Sequence, residues 1–306
     1  FLQDVWTPND DLEISLALRL DKVEADFIDP QKPGTEIDET IFAPRIDVRF
    51  FHSGELTSRL SAGRGYRAPL SFFETDHGIL DAELGYQIEV QELERSISYN
   101  YSLSYEGEAL TATLSAATSQ VEHLAELSET EDGVPVLTQL DETARVTTLD
   151  FVAGYQATDN LLVNLSLERF IYDDTFKSSY AIAPIEDRIG IDVNWTWNAL
   201  EMNFSTTWFG SRDLRDYGYE GNNVQDDPAS AKPLDASSFS VSNIKLKYRL
   251  TEHAAIYAGV SNLFEYTQID EGDTPLFFDA SGGYDVAYIY GPLHGREFYA
   301  GLEIKL

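Results

Sequence analysis

Residues 189–208 read Ile-Gly-Ile-Asp-Val-Asn-Trp-Thr-Trp-Asn-Ala-Leu-Glu-Met-Asn-Phe-Ser-Thr-Thr-Trp. Ile189, Ile191, Val193, Trp195 and Trp197 alternate with Gly190, Asp192, Asn194 and Thr196. After the pair Asn198-Ala199, the alternation resumes through Leu200, Met202, Phe204, Thr206 and Trp208. Successive strand side chains point to opposite faces, so this is two strands joined by a tight turn, each with one apolar and one polar face. The same period runs through Leu12–Asp21, Ile97–Tyr105 and Leu161–Glu168. No stretch of comparable length carries a helical period, and no apolar run is long enough for a transmembrane helix.

Two architectures use such strands. A soluble sandwich hides its apolar faces inside, whereas a membrane barrel turns them to lipid and keeps a polar lumen. Three features favour the barrel. The segments are about 10–14 residues long, against roughly 5–6 in soluble sheets. Their polar faces are rich in Ser, Asn, Thr, Gly and charge. Tight turns also alternate with long links. The spacing predicts strands at 11–25, 40–52, 55–67, 94–106, 108–122, 143–157, 160–173, 181–198, 200–212, 238–250, 254–265 and 295–306. The turns are Ser53-Gly54, Glu106-Gly107, Thr158-Asp159, Asn198-Ala199 and Thr251-Glu252, and the long links are 68–93, 123–142, 213–237 and 266–294. Short periplasmic turns and long extracellular loops are the outer-membrane pattern. Leu16, Leu18, Leu103, Leu165, Val193 and Phe204 should therefore lie exposed on the lipid face, and Arg19, Asn100, Asn164, Asp192 and Glu303 on the lumen face. Tyr66, Tyr155, Tyr172, Trp195, Trp197, Trp208 and Tyr248 fall near strand ends, as an interfacial girdle requires.

The chain has 306 residues, no cysteine, and 53 acidic against 21 basic side chains, a net charge of −32 that repels nucleic acid and favours cations. No catalytic constellation emerges. The five histidines are scattered without metal-ligand spacing, and no nucleophile elbow or phosphate loop occurs. An enzyme is not expected.

Four segments carry a family resemblance. Gly63-Arg64-Gly65-Tyr66-Arg67-Ala68-Pro69 resembles the strand-to-loop signature of TonB-dependent receptors. Ser261-Asn262-Leu263-Phe264-Glu265-Tyr266 resembles their penultimate-strand motif, and Gly295–Leu302 their closing strand. Gln3-Asp4-Val5-Trp6, a turn and then Leu12–Asp21 resemble a recurrent hairpin of the same barrels. The resemblance implies the bacterial outer membrane and a barrel of about 22 strands. Residues 1–306 would be its carboxy-terminal part: about 12 antiparallel strands, with the tail of another at residues 1–6. There would be no separate soluble domain, and the plug domain would lie outside this chain. It implies uptake of a scarce, bulky solute, with an iron-siderophore type cargo as default. The implied partners are the missing plug and strands, the TonB energy-transducing system, and outer-membrane lipid and lipopolysaccharide. The competing reading is a self-contained 12-stranded barrel, either an autotransporter-type translocator or a passive channel.

Cargo contacts are expected in the long loops, where aromatics can stack on a ligand and carboxylates or amides fix its polar groups. The candidates are Phe72, Phe73, His77, Tyr217, Tyr219, Phe277, Phe278, Tyr284 and Tyr288; the blander reading is that these rings pack the loops on themselves. Asp226, Asp227, Asp270 and Asp273 supply hard oxygen ligands for Ca or Mg at the extracellular loops, although none sits in an EF-hand pattern and solvated loop charge is the simpler reading of them. No other cofactor is expected.

Overall fold

A computed structural model describes residues 1–26, 36–68, 87–129, 135–179, 183–219, 221, 232–271, 277–278, 284–285 and 288–305. Thirteen strands form one sheet in which sequence neighbours are spatial neighbours. They are β1 (Leu2–Asn9), β2 (Leu12–Asp26), β3 (Glu36–Phe51), β4 (Leu56–Arg67), β5 (Glu94–Glu106), β6 (Leu110–Glu122), β7 (Ala144–Thr158), β8 (Leu161–Tyr172), β9 (Asp187–Trp197), β10 (Leu200–Phe209), β11 (Phe239–Arg249), β12 (Ala254–Ser261) and β13 (Glu297–Ile304). All twelve expected strands are present, and residues 2–9 complete the hairpin anticipated at the start, with Leu2 opposite Leu18 and Trp6 opposite Ile14. Two compact units share the sheet: residues 1–103, 115–148 and 171–181, and residues 104–114, 149–170 and 182–306.

The registers set the faces. One row runs Val163, Val193, Phe204, Ile244, Val260 and Phe298 across six strands. The next row is Asn164, Asp192, Ser205 and Asn243. In the other unit Leu18, Leu16 and Ile14 oppose Pro44, Ile46 and Val48, while Glu13 and Ser15 oppose Arg49 and Asp47. A slip of one residue would exchange the faces wholesale, so this agreement with the sequence pattern fixes the register. Leu16 and Leu18 are exposed, at 51% and 41%. Leu103, Leu165, Val193 and Phe204 were expected to be exposed as well but are half-buried. Val193 and Phe204 lie within a continuous row of large side chains, Leu165 is opposite Ile191, and none of the four belongs to the buried core.

The polar face is cross-linked rather than loosely solvated. Asp192 accepts hydrogen bonds from the amides of Asn194 at 2.8 Å and Asn203 at 3.0 Å. Ser61 donates to Asp47 at 2.6 Å, Lys247 pairs with Glu303 at 2.7 Å, Arg249 pairs with Glu201 at 2.7 Å, and Arg188 pairs with Glu168. Gly259 and Gly301 lie under the rings of Tyr299 and Tyr257, where a Cβ would collide with the phenol. Those two glycines let adjacent strands carry inward tyrosines flat against the wall.

Of the expected girdle, Tyr155, Trp197, Trp208 and Tyr248 are exposed on the sheet. Tyr66 packs instead against a loop core, and Tyr172 lies 5.5 Å from Phe176 of a six-residue helix, α1 (Asp174–Ser179). Short strands brace the long links. Gln87–Ile88, Pro135–Gln139 and Ala125–Glu129 form a three-stranded sheet, while Arg212–Asp213 pairs with Asp235–Ala236, and Phe277–Phe278 with Tyr284–Asp285.

The faces can be tested by charge insertion. Leu165→Arg should cost roughly 2–4 kcal/mol of folding stability in a bilayer if that side chain meets hydrocarbon near the midplane. Asn164→Arg, one residue along on the lumen face, should cost well under half of that. Denaturant titrations in phospholipid vesicles would measure both, and equal costs would contradict the assignment.

Candidate functional site

The ends of the strands opposite the tight turns carry two braced loop assemblies, one in each unit. In the first unit, Ile37, Ile41, Val90, Leu93, Ala125 and Leu137 form a buried core, with Tyr66 and Ala68 packed against it. The Arg67 guanidinium grips Glu94, donating through Nη2 at 2.9 Å and also through Nε. Glu94 is 3% exposed and also accepts from the Ala125 amide at 3.0 Å. A buried carboxylate is tolerated only when paired and hydrogen-bonded, so Arg67 is what allows Glu94 to tie β5 to the next loop. Gln139 clamps the same loop, accepting from the amides of Gln91 and Glu92 and donating to the carbonyls of Glu92 and His123. Gly65 faces Ser96 of β5, where an added Cβ would stand 2.9 Å from Ser96 Oγ and the hydroxyl would have to turn away. The Gly63–Arg67 motif is thus a strand end set close against β5, whose arginine locks the loop above it.

In the second unit, Ala183, Leu214, Tyr217, Ala236 and Tyr288 form the buried cluster, with Tyr219 and Tyr290 against it. Three of the predicted aromatics, Tyr217, Tyr219 and Tyr288, therefore come together from two loops distant in sequence. Tyr219 meets Tyr288 edge-on at 5.0 Å, and its hydroxyl accepts from the Ala183 amide at 3.2 Å. Tyr217 donates to Glu186 at 2.6 Å. Tyr217 and Tyr288 are buried and Tyr219 is half-buried.

Arg212 enters this cluster at 5% exposure. Its Nη1 donates to the Ala183 carbonyl at 2.8 Å, and its guanidinium lies 5.7 Å from the Tyr290 ring centre. Its Nε meets no acceptor among the described residues. Burial pushes the guanidinium below its ordinary pKa, opposed by the neighbouring tyrosines and Glu186. Nothing in the sequence singled out Arg212, because a lone basic residue after a strand has no period or motif to mark it.

Two amides fasten the last loop. Asn262, at a positive φ of 49°, donates from Nδ2 to the carbonyls of Tyr266 at 2.7 Å and His294 at 3.2 Å, and accepts from Tyr266 N at 3.0 Å. Its own backbone amide donates to Asn243 Oδ1 at 3.0 Å. Asparagine tolerates the left-handed region and offers both donor and acceptor, which accounts for its place in the Asn262-Leu263-Phe264 motif. Gln268, 2% exposed, donates to the Tyr288 carbonyl at 2.8 Å and accepts from the amides of Tyr290 and Gly291, each at 3.0 Å. Phe264 stands outside, 71% exposed.

Phe72, Phe73, His77, Asp226, Asp227 and Asp273 lie outside the described residues. Phe277, Phe278 and Tyr284 sit on the short hairpin and Asp270 on a 3-10 turn, but their side chains are also outside what is described. Among the described residues, no group of three or more His, Asp or Glu is placed to hold a metal ion.

The clamps should be measurable. Asn262→Ala and Gln268→Ala each leave buried backbone groups unanswered, at about 1–3 kcal/mol per group. Limited proteolysis should then cut between residues 266 and 294 faster than in the wild type, while the band shift of the folded sheet on unheated gels persists. An unchanged cleavage rate would show that the amides do not hold the loop.

No curated protein matches the chain by sequence. Solved structures match it closely in fold at low identity. The copper transporter OprC superposes with a TM-score of 0.69 at 15% identity, over 99% of this chain and 46% of that one. The ferric enterobactin receptor PfeA, in complex with BCV-L6, gives 0.70 at 15%, over 99% and 44%. The siderophore receptor PirA from Acinetobacter baumannii gives 0.67 at 14%, over 99% and 44%. The chain thus spans less than half the length of these proteins. The profile of the TonB dependent receptor-like β-barrel matches residues 1–263. Two-faced strands, braced long loops and this match lead to one assignment: the chain belongs to the TonB-dependent receptor β-barrel family of the bacterial outer membrane.

Proposed function

We propose that this chain is the carboxy-terminal wall of an active-transport receptor that imports a scarce, bulky solute, powered through the TonB system. The observation that carries the reading is the sheet itself, two-faced and bounded by β1 and β13. In hydrocarbon an unpaired strand edge costs several kcal/mol per backbone group, so both edges need strands from outside this chain. In a self-contained 12-stranded barrel, β2 and β13 would pair with each other. Here β2 lies between β1 and β3 and no pairing of β2 with β13 is made, which supports the larger receptor.

An iron-siderophore type cargo is the default. Proteins of similar fold carry names that specify siderophores, enterobactin or copper. Tyr219 is the described candidate for cargo contact, with Tyr217 and Tyr288 shaping the floor beneath it. Phe72, Phe73, His77, Phe277, Phe278 and Tyr284 complete the proposed binding surface. Calcium or magnesium at Asp226, Asp227, Asp270 and Asp273 would brace those loops from outside. This reading calls for binding and gating and assigns no catalytic residue.

Deleting the gene in its native bacterium should lower uptake of a radiolabelled ferric chelate, under iron starvation, to the level of a strain lacking TonB. Tyr219→Ala in the intact receptor should weaken cargo binding roughly tenfold, as for an aromatic anchor at an interface. Undiminished uptake of every chelate in the deletion strain would redirect the search to copper and other solutes. Uptake that survives loss of TonB would remove the active-transport reading.

A further inference from the structure

We propose that Asp4 is one half of an ion pair inside the membrane, answered by an arginine or lysine on the strand that covers the open edge of β1. Register places its carboxylate on the lipid face. Leu2 is opposite Leu18, Asp4 opposite Leu16 and Trp6 opposite Ile14, and directly opposed residues share a face. Leu16 is opposite Ile46, and Ile46 is opposite Ala62. The rung therefore runs Asp4, Leu16, Ile46, Ala62, with one acid beside three apolar side chains.

The same rows give the depth. On β2 the outward residues are Leu12, Ile14, Leu16, Leu18 and Leu20 before Lys22 and Glu24 begin the polar rim. On β3 they are Phe50, Val48, Ile46, Pro44 and Phe42 before Thr40 and Asp38. Asp4 stands at the middle of these apolar rungs, with Leu2 and Trp6 on either side of it in its own strand. Two rungs are about 13 Å of strand. A side chain of one methylene group cannot span that, so the carboxylate reaches neither headgroup region. Among the described residues it has no hydrogen bond or ion pair. A charge left so in hydrocarbon is costly, and such residues face protein and pair with a partner there.

Another outward charge shows how this sheet answers one. On β8, Arg169 continues the row of Val163, Leu165 and Leu167, and the residue directly opposite it on β9, Asp187, meets its Nη1 at 3.2 Å. The charge is met across the ladder. The ladder partner of Asp4 on β2 is Leu16, so the answer falls to the other edge of β1. A directly opposed side chain there has its Cβ about 4.5–5.5 Å away, within reach of a basic residue. The pair then acts as a register key for that seam. A slip of two residues keeps every face, but it moves the charges apart by about 6.6 Å along the strand and leaves both in hydrocarbon. The pair rests on the proposed receptor for the strand beyond β1 and assigns no role in transport.

The test uses the intact receptor that contains this chain, folded into phospholipid vesicles, with urea titration as the readout and the band shift on unheated gels as the check of folding. The strand covering β1 should carry an arginine or lysine in its apolar row. Asp4→Cys, combined with a cysteine exchanged for that basic residue, should form a disulfide on oxidation. Asp4→Leu should lower the folding equilibrium constant roughly tenfold, because it leaves the cation uncompensated. A carboxyl group merely tolerated by lipid gives the opposite sign, a gain. Asp4→Arg should lower the constant further, and an aspartate exchanged for the partner cation should rescue it. If the single variants do not fold, the rescue is read alone. A covering strand without a basic residue in that row, a stabilised Asp4→Leu, a failed rescue, or a cross-link to a separate polypeptide would each overturn the pair while the receptor reading stands. A native protein with no strand beyond β1 would remove both.

Discussion

Hydrocarbon offers no hydrogen bonds, so every backbone N–H and C=O inside the membrane must be answered by another strand. The main features of this chain follow from that demand. Strands run to 15 or 16 residues in β2 and β3 because they must cross the apolar layer with their ladders intact. The twelve pairings of the strand order are made between strands consecutive in the sheet and in the chain, and only the edges of β1 and β13 are left for strands outside it. Side chains are then free to differ on the two faces, since they carry none of the backbone's burden.

The polar face shows how the lumen wall manages charge. Carboxylates there are met by arginine, lysine, amide or hydroxyl on the same strand or the next, as with Asp47 and Ser61, Asp192 and Asn203, or Glu303 and Lys247. Exposed pairs of this kind are each worth little. Their use is geometric. They hold long side chains against the wall and leave the opening clear, and the tyrosines over Gly259 and Gly301 do the same with rings.

The fold was legible because a two-residue period leaves one answer for each strand, and the alternation from Ile189 to Trp208 sets face, turn and register together. The loops were much less readable. Tyr217 and Tyr288 lie 71 positions apart in the chain, and nothing local says that they share a cluster. Arg212, Glu94 and Gln268 act through burial, which a single polar letter at a strand end or in a turn does not announce. The motif residues were recognised by likeness alone. Their reasons, Arg67 holding Glu94 and Asn262 at a left-handed position, needed coordinates.

The amide clamps at Asn262 and Gln268 have an evolutionary consequence. Both grip backbone atoms: the carbonyls and amides of Tyr266, Tyr288, Tyr290, Gly291 and His294. A main-chain atom is present whatever residue carries it, so the fastening is nearly indifferent to the sequence it fastens. Substitutions, and even insertions, between the two grips can accumulate without loosening the wall below. Selection can then rewrite the residues between Gln268 and Tyr288 while the fastening stays as it was.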